Sequence, residues 1–147
     1  MNYGKQGILL STSSLSRLDI FMVFKITDAT ESERKLSQSV IQVIELLGMY
    51  HAELARILGQ QCSYIGELSS GQTCIIKNTI AWQQATLLVK TYNLLFDCFE
   101  GDDVAMYHWM RAHNKELEGT PHFLIVDDHK LQIIHDYLSQ NNHRKIS

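Results

Sequence analysis

The sequence predicts an all-α fold, and three observations carry that prediction. From Asp28 onward, apolar residues recur at spacings of three and four, the period of a helix with one buried face. Hydroxyl or acidic residues open these runs and glycines close them, as helix caps do. Only DIFMVFKI (19–26) reads as a strand, and no second convincing strand exists to pair with it. At 147 residues the chain is long enough for one domain, or for two small helical units sharing a core. Three regions are expected: an arm over 1–26 without regular structure, a helix-turn-helix region over 27–78, and a second helical unit over 79–147.

The start of the arm, residues 1–18, is rich in Ser and Gly and has no periodicity. Thr30 and Glu33 then have the spacing of a capping box, in which each side chain satisfies the other's exposed backbone N–H. SQSVIQVIELLG (37–48) sets Val40, Ile44 and Leu47 on one stripe and closes on Gly48 as a C-cap. HAELARILG (51–59) is a short helix with apolar Leu54, Ala55 and Leu58, stopped by Gly59. SYIGELSSG (63–71) is another, with Ile65 and Leu68 on one face and Gly71 past its end.

The longest helix is expected from Thr79 to Phe99, where Ala81, Ala85, Leu88, Tyr92, Leu95 and Phe99 form a core-facing stripe. Trp82, Leu87, Leu94 and Phe96 widen its apolar surface beyond one stripe, which favours a subunit interface and hence a homodimer. EGDD (100–103) breaks this helix, and Val104 to His113 forms the next, with Ala105, Trp109 and Ala112 on one side. Thr120 as N-cap and Pro121 at the first helical position start another, since proline's missing N–H costs nothing there. The last helix is expected within DDHKLQIIHDYLSQ (127–140), followed by the polar tail NNHRKIS.

No apolar run approaches the length needed to cross a bilayer, and the three-residue apolar piece ILL is too short for a signal-peptide core. The expectation is a cytoplasmic protein with no membrane partner. A net charge of −3 argues against a protein that coats nucleic acid non-specifically. Acidity gathers in the C-terminal half at Glu100, Asp102 and Asp103, then at Asp127 and Asp128, as a solvated face or a surface for a basic partner.

Three cysteines, widely spaced and odd in number, make a disulfide framework an unsuitable reading. The seven histidines form no CxxC-, HxxxH- or HExxH-like pattern, and His108 and His113 lie five apart on different helical faces. No metal site and no cofactor are expected. Nor is a catalytic site: the chain has no nucleophile motif or phosphate loop. An enzyme would require His108, His113 or Asp102-Asp103 to converge on one pocket.

Ala55, Gly59, Ile65 and Leu68 fall four, six and three apart, the spacing of a helix-turn-helix. That motif needs a small residue where the helices cross, a left-handed glycine in the turn and two apolar anchors in the second helix. If it binds DNA, Gln61, Ser63, Tyr64 and Glu67 face the major groove, and Arg56 supplies a phosphate contact. The alternative is a helical corner with no DNA contact. Gln60 stands where such motifs usually keep an aliphatic residue, and the few cations imply weak binding by a monomer.

The stretch LVKTYNLLFDCFEGDDVAMYHWMRAHNKELEGTPHFLIVDDHKLQIIHDYL (88–138) resembles the toxin-binding domain of the Xre/MbcA/ParS antitoxin family. Gly101 and Asp102, Trp109, Asn114, Leu117, Gly119, Pro121, Leu124, Ile125, Ile134, Tyr137 and Leu138 carry the likeness. ELARILGQQCSYIGELSSG resembles the helix-turn-helix that members carry in front, so the resemblance covers about residues 40–140. His129-Lys130 stands where the family usually has glycine.

The resemblance implies that 79–147 is a toxin-binding helical domain. It implies an antitoxin that occludes a RES-like, NAD-degrading toxin and represses its own operon. A stand-alone helix-turn-helix regulator is the alternative. The residues also make sense by themselves: Asn114 can cap a turn, Gly119 can take a left-handed conformation, and Pro121 sets a helix start. Expected toxin contacts are Trp109, Asn114, Gly119, Pro121 and Tyr137, with Arg144 and Lys145 of the tail reaching a nucleotide pocket.

Overall fold

The computed structural model describes residues 29–142. The 1–26 arm, with its strand-like stretch at 19–26, and the tail cations Arg144 and Lys145 lie outside the described residues. Within them the fold is all-α, with seven helices. These are α1 (Glu31–Leu47), α2 (His51–Leu58), α3 (Cys62–Ser70), α4 (Ile80–Cys98), α5 (Asp103–Arg111), α6 (Pro121–Val126) and α7 (Leu131–Gln140).

Local chemistry explains most helix ends. Thr30 and Glu33 form the expected capping box, the threonine amide donating to Glu33 Oε1 at 2.9 Å. Gly48, Gly59 and Gly71 close α1, α2 and α3 in the left-handed region, which glycine enters without a Cβ clash. Thr79 caps α4 by accepting from the Trp82 amide, and Asp102 caps α5 by accepting from the Ala105 amide. Pro121 opens α6 as expected, although the Thr120 hydroxyl makes no capping bond. The last helix begins four residues later than the start of the stretch assigned to it. His129 adopts φ 56, and the Lys130 amide donates to the Leu124 carbonyl, so Asp127 to His129 close α6 and Lys130 is the N-cap of α7.

Helix α4 is the axis of the fold: α1, α2, α5 and α7 all pack on it. Ala81, Ala85, Leu88, Tyr92 and Leu95 of its stripe are buried, and Phe99 is half-buried. Trp82, Leu87, Leu94 and Phe96 are half-buried and pack against the same core. A central helix needs apolar surface on several sides, so this width is used within the chain and does not by itself demand a second subunit. On α5 the buried face differs from expectation. Met106, Trp109 and Met110 are buried, whereas Ala105 is half-buried and Ala112 exposed. The larger side chains remove more apolar area from water, and they set the rotation of the helix.

Polar side chains tie distant segments to this core. Glu33 accepts the Lys77 amide at 2.7 Å, and Ser37 accepts the Ile75 amide at 2.8 Å, which pins the α3–α4 connection onto α1. The amides of Lys77 and Thr30 hold the Glu33 carboxyl below its ordinary value. Arg111 donates to the carbonyls of Leu47 and Gly48 and stacks on Tyr107, its guanidinium carbon 3.8 Å from the ring centre. The end of α1 is thereby satisfied by α5.

Two left-handed glycines separate backbone strain from packing. A Cβ at Gly59 meets nothing within 4 Å, so Gly59→Ala is expected to cost about 1 kcal/mol from φ alone. At Gly101 the same atom lies 3.0 Å from the Phe96 ring, and Gly101→Ala should cost roughly 1 kcal/mol more. Urea unfolding of both variants measures the difference; equal losses would mean that the ring yields freely.

Candidate functional site

Two surfaces gather the residues singled out by sequence. The first is formed by α2 and α3, which pack against each other. Ala55, Ile65 and Leu68 are buried and Gly59 has φ 67, the conformations that their spacing requires. Gly59, Gln60, Gln61, Ser63, Tyr64 and Glu67 line a shallow depression. Gln61, Ser63 and Glu67 are exposed there, and so is Gln60, where burial would have called for an aliphatic residue.

Tyr64 is less available than its position suggests. It is half-buried, its hydroxyl donates to the Cys74 carbonyl at 3.4 Å, and burial raises its phenol above the ordinary value. Arg56 does not line this depression; it pairs with Asp127 at the end of α6. Both partners are exposed, so the pair contributes little to stability, but it offsets the charge that a phosphate would meet. A second tie joins the same helices. Glu53 meets the buried His122 at 2.6 Å, and although burial would raise its carboxyl, bonds from the Tyr50 amide and His122 hold it low.

The second surface is an open cleft of 1230 Å³ between the end of α4, α5, the 112–116 segment and α7. Trp109, Asn114 and Tyr137, three of the residues singled out, line it together. Tyr137 stacks on Trp109 with ring centres 6.1 Å apart, and the Phe99 ring, tilted by 55°, also packs on the indole at 6.2 Å. The Tyr137 hydroxyl donates to Glu116 at 2.7 Å. Asn114 accepts the Leu117 amide at 3.0 Å, and its backbone pairs with that of Gly119, closing a tight loop. This cap was legible in the sequence; the partnership with Gly119 was not.

Gly119 and Pro121 do not line the cleft. Gly119 is not left-handed. Glu118, with φ 56, takes that conformation, and a Cβ at Gly119 would sit 3.0 Å from the Leu124 side chain, which would have to give way. Among the described residues, Asp97, Glu100, Asp102 and Glu116 bring carboxylates to the cleft, against one cation, Lys115. Glu116 carried no signal in the sequence, because only the fold brings it to α7. His108 and His113 also line the cleft with Asp102, yet among the described residues no hydrogen bond joins either imidazole to a carboxylate. The described residues hold no group of His, Cys, Asp or Glu arranged for a metal ion. Among the described helices none is long and apolar enough to cross a membrane. Cys74 and Cys98 are buried free thiols, and burial pushes both above the ordinary value. No protein-family model and no curated protein matches the chain.

Proposed function

We propose that the chain is the antitoxin of a type II toxin–antitoxin system. It binds and occludes a RES-like, NAD-degrading toxin in the cytoplasm and represses its own operon by binding DNA. The observation that carries this reading is the aromatic cleft, in which Trp109, Asn114 and Tyr137 come together. Gly119, which pairs with Asn114, and Pro121, which opens α6, act on the toxin indirectly. The exposed α7 surface and the tail bearing Arg144 and Lys145 extend the contact. The reading needs no cofactor and no catalytic group.

DNA binding is assigned to the first turn of α3, where Gln61 and Ser63 are exposed. With Arg56 held by Asp127, phosphate attraction is weak, and a homodimer presenting two such helices offsets that deficit. Gln61→Ala or Ser63→Ala is expected to weaken operator binding by roughly 1–3 kcal/mol. Arg56→Ala should weaken binding to all sequences alike. Gel shifts on the chain's own promoter at low salt check both, and no shift by the intact chain would leave α2 and α3 as architecture. A stand-alone regulator is the second reading, and it rests on the same exposed residues of α3.

The test of the toxin reading is co-expression with the product of the adjacent gene, followed by calorimetry. Asn141 is buried and donates to the Tyr137 carbonyl, so truncation after Asn142 isolates the tail better than a cut after Gln140. The shortened chain is expected to stay folded and to bind less tightly, with the helical surface keeping most of the affinity. Unchanged affinity removes the tail from the contact. No binding by the intact chain rejects the antitoxin reading.

A further inference from the structure

We propose that the Arg56–Asp127 pair is an autoinhibitory contact, in which Asp127 of the second helical unit occupies the guanidinium that a DNA phosphate would bind. This rests on the DNA-binding reading above and adds a restraint on it from another part of the fold. Arg56 is the phosphate contact expected beside α3, yet its Nη1 donates to Asp127 Oδ1, 71 residues along the chain. A carboxylate and a phosphate offer a guanidinium the same charge-assisted hydrogen bonds, so they compete for it. Side-chain exposures of 64% for Arg56 and 44% for Asp127 leave room for that exchange without opening the core.

The seam between α2 and α6 keeps the competitor in place. Glu53 and Arg56 are three residues apart on α2, so they share one helix face, and both side chains reach α6. Glu53 meets the buried His122 at 2.6 Å, which ties the two helices from inside. The Asp127 amide donates to the Phe123 carbonyl at 2.8 Å and fixes the carboxylate at the end of α6. An isolated exposed ion pair gains little, because it must order two side chains. Here packing and the buried tie have already brought the two helices together. Local structure gives no reason for an acid at this position. Helix C-termini favour cations, so a carboxylate at the end of α6 is ill placed until Arg56 approaches it.

The experiment follows the fluorescence anisotropy of a short, random-sequence DNA duplex titrated with the intact chain, at low salt and then across a salt series. A phosphate contact is independent of sequence, so no operator is needed. Asp127→Asn is expected to tighten binding roughly 2–5-fold and to steepen the salt dependence by about one phosphate contact. Asp128→Asn removes the same charge one residue away, where no ion pair is present among the described residues, and should give no such gain. In an Arg56→Ala background, the gain from Asp127→Asn should fall to the level of Asp128→Asn. Equal gains from the two asparagine variants would assign the effect to net charge and overturn the proposal. An unchanged salt slope, or a full gain without Arg56, would do the same. The two readings fail separately. If wild type binds the duplex and Asp127→Asn binds no more tightly, the restraint is wrong and the DNA-binding reading stands. If neither binds at low salt, the DNA-binding reading fails and takes the restraint with it.

Discussion

Leu88→Ala is expected to lower the free energy of unfolding by about 2–5 kcal/mol. Leu88 is 1% exposed near the middle of α4, the helix on which α1, α2, α5 and α7 all pack. Truncation there removes apolar area that folding had taken out of water and leaves a void between elements held from several sides. Such surroundings relax little, because interiors are packed at crystal-like density. A domain of this size has a total stability of roughly 5–15 kcal/mol, so the single change removes a substantial fraction of it. Lys90→Ala, on the exposed side of the same helix, is the control and should stay within about 0.5 kcal/mol of wild type. Urea titrations of both variants read the difference. A loss under about 1 kcal/mol at Leu88 would mean that the surrounding helices collapse onto the vacated space.

Tyr137→Ala is expected to weaken toxin binding by about 2 kcal/mol or more, near 30-fold in Kd, with a smaller effect on stability. Tyr137 is half-buried at the border of the cleft, stacked on Trp109 and bonded to Glu116. Aromatic side chains in such positions combine large contact area with few rotatable bonds, which concentrates binding energy on them. Tyr137→Phe keeps the ring and removes the hydroxyl that bonds to Glu116, so it should cost roughly 0.5–1.5 kcal/mol. The pair of variants separates ring contact from hydrogen bonding. Trp109 is a poorer probe, because it is 6% exposed and its truncation would disturb the core. Calorimetry of folded Tyr137→Ala with unchanged affinity would exclude Tyr137 from the proposed toxin contact.

The sequence by itself determined the helices and most of their ends. The Thr30–Glu33 box, the glycines at 48, 59 and 71 and Pro121 act within one or two turns, so local chemistry suffices to read them. It also marked Trp109, Asn114 and Tyr137, which the cleft brings together. Only the tertiary structure decided which face of α5 is buried, because Ala105, Trp109 and Ala112 follow the helical period as well as Met106, Trp109 and Met110 do. It decided that Gly119 lies close against Leu124 and does not form a left-handed turn, since close approach depends on a neighbouring helix. It decided the state of Arg56, whose partner Asp127 lies 71 residues away, and it brought Glu116 to Tyr137 across 21 residues. Helix period and caps act between residues close in the chain. Pairings such as these depend on how α4 orients the helices packed around it, and no local pattern encodes that orientation.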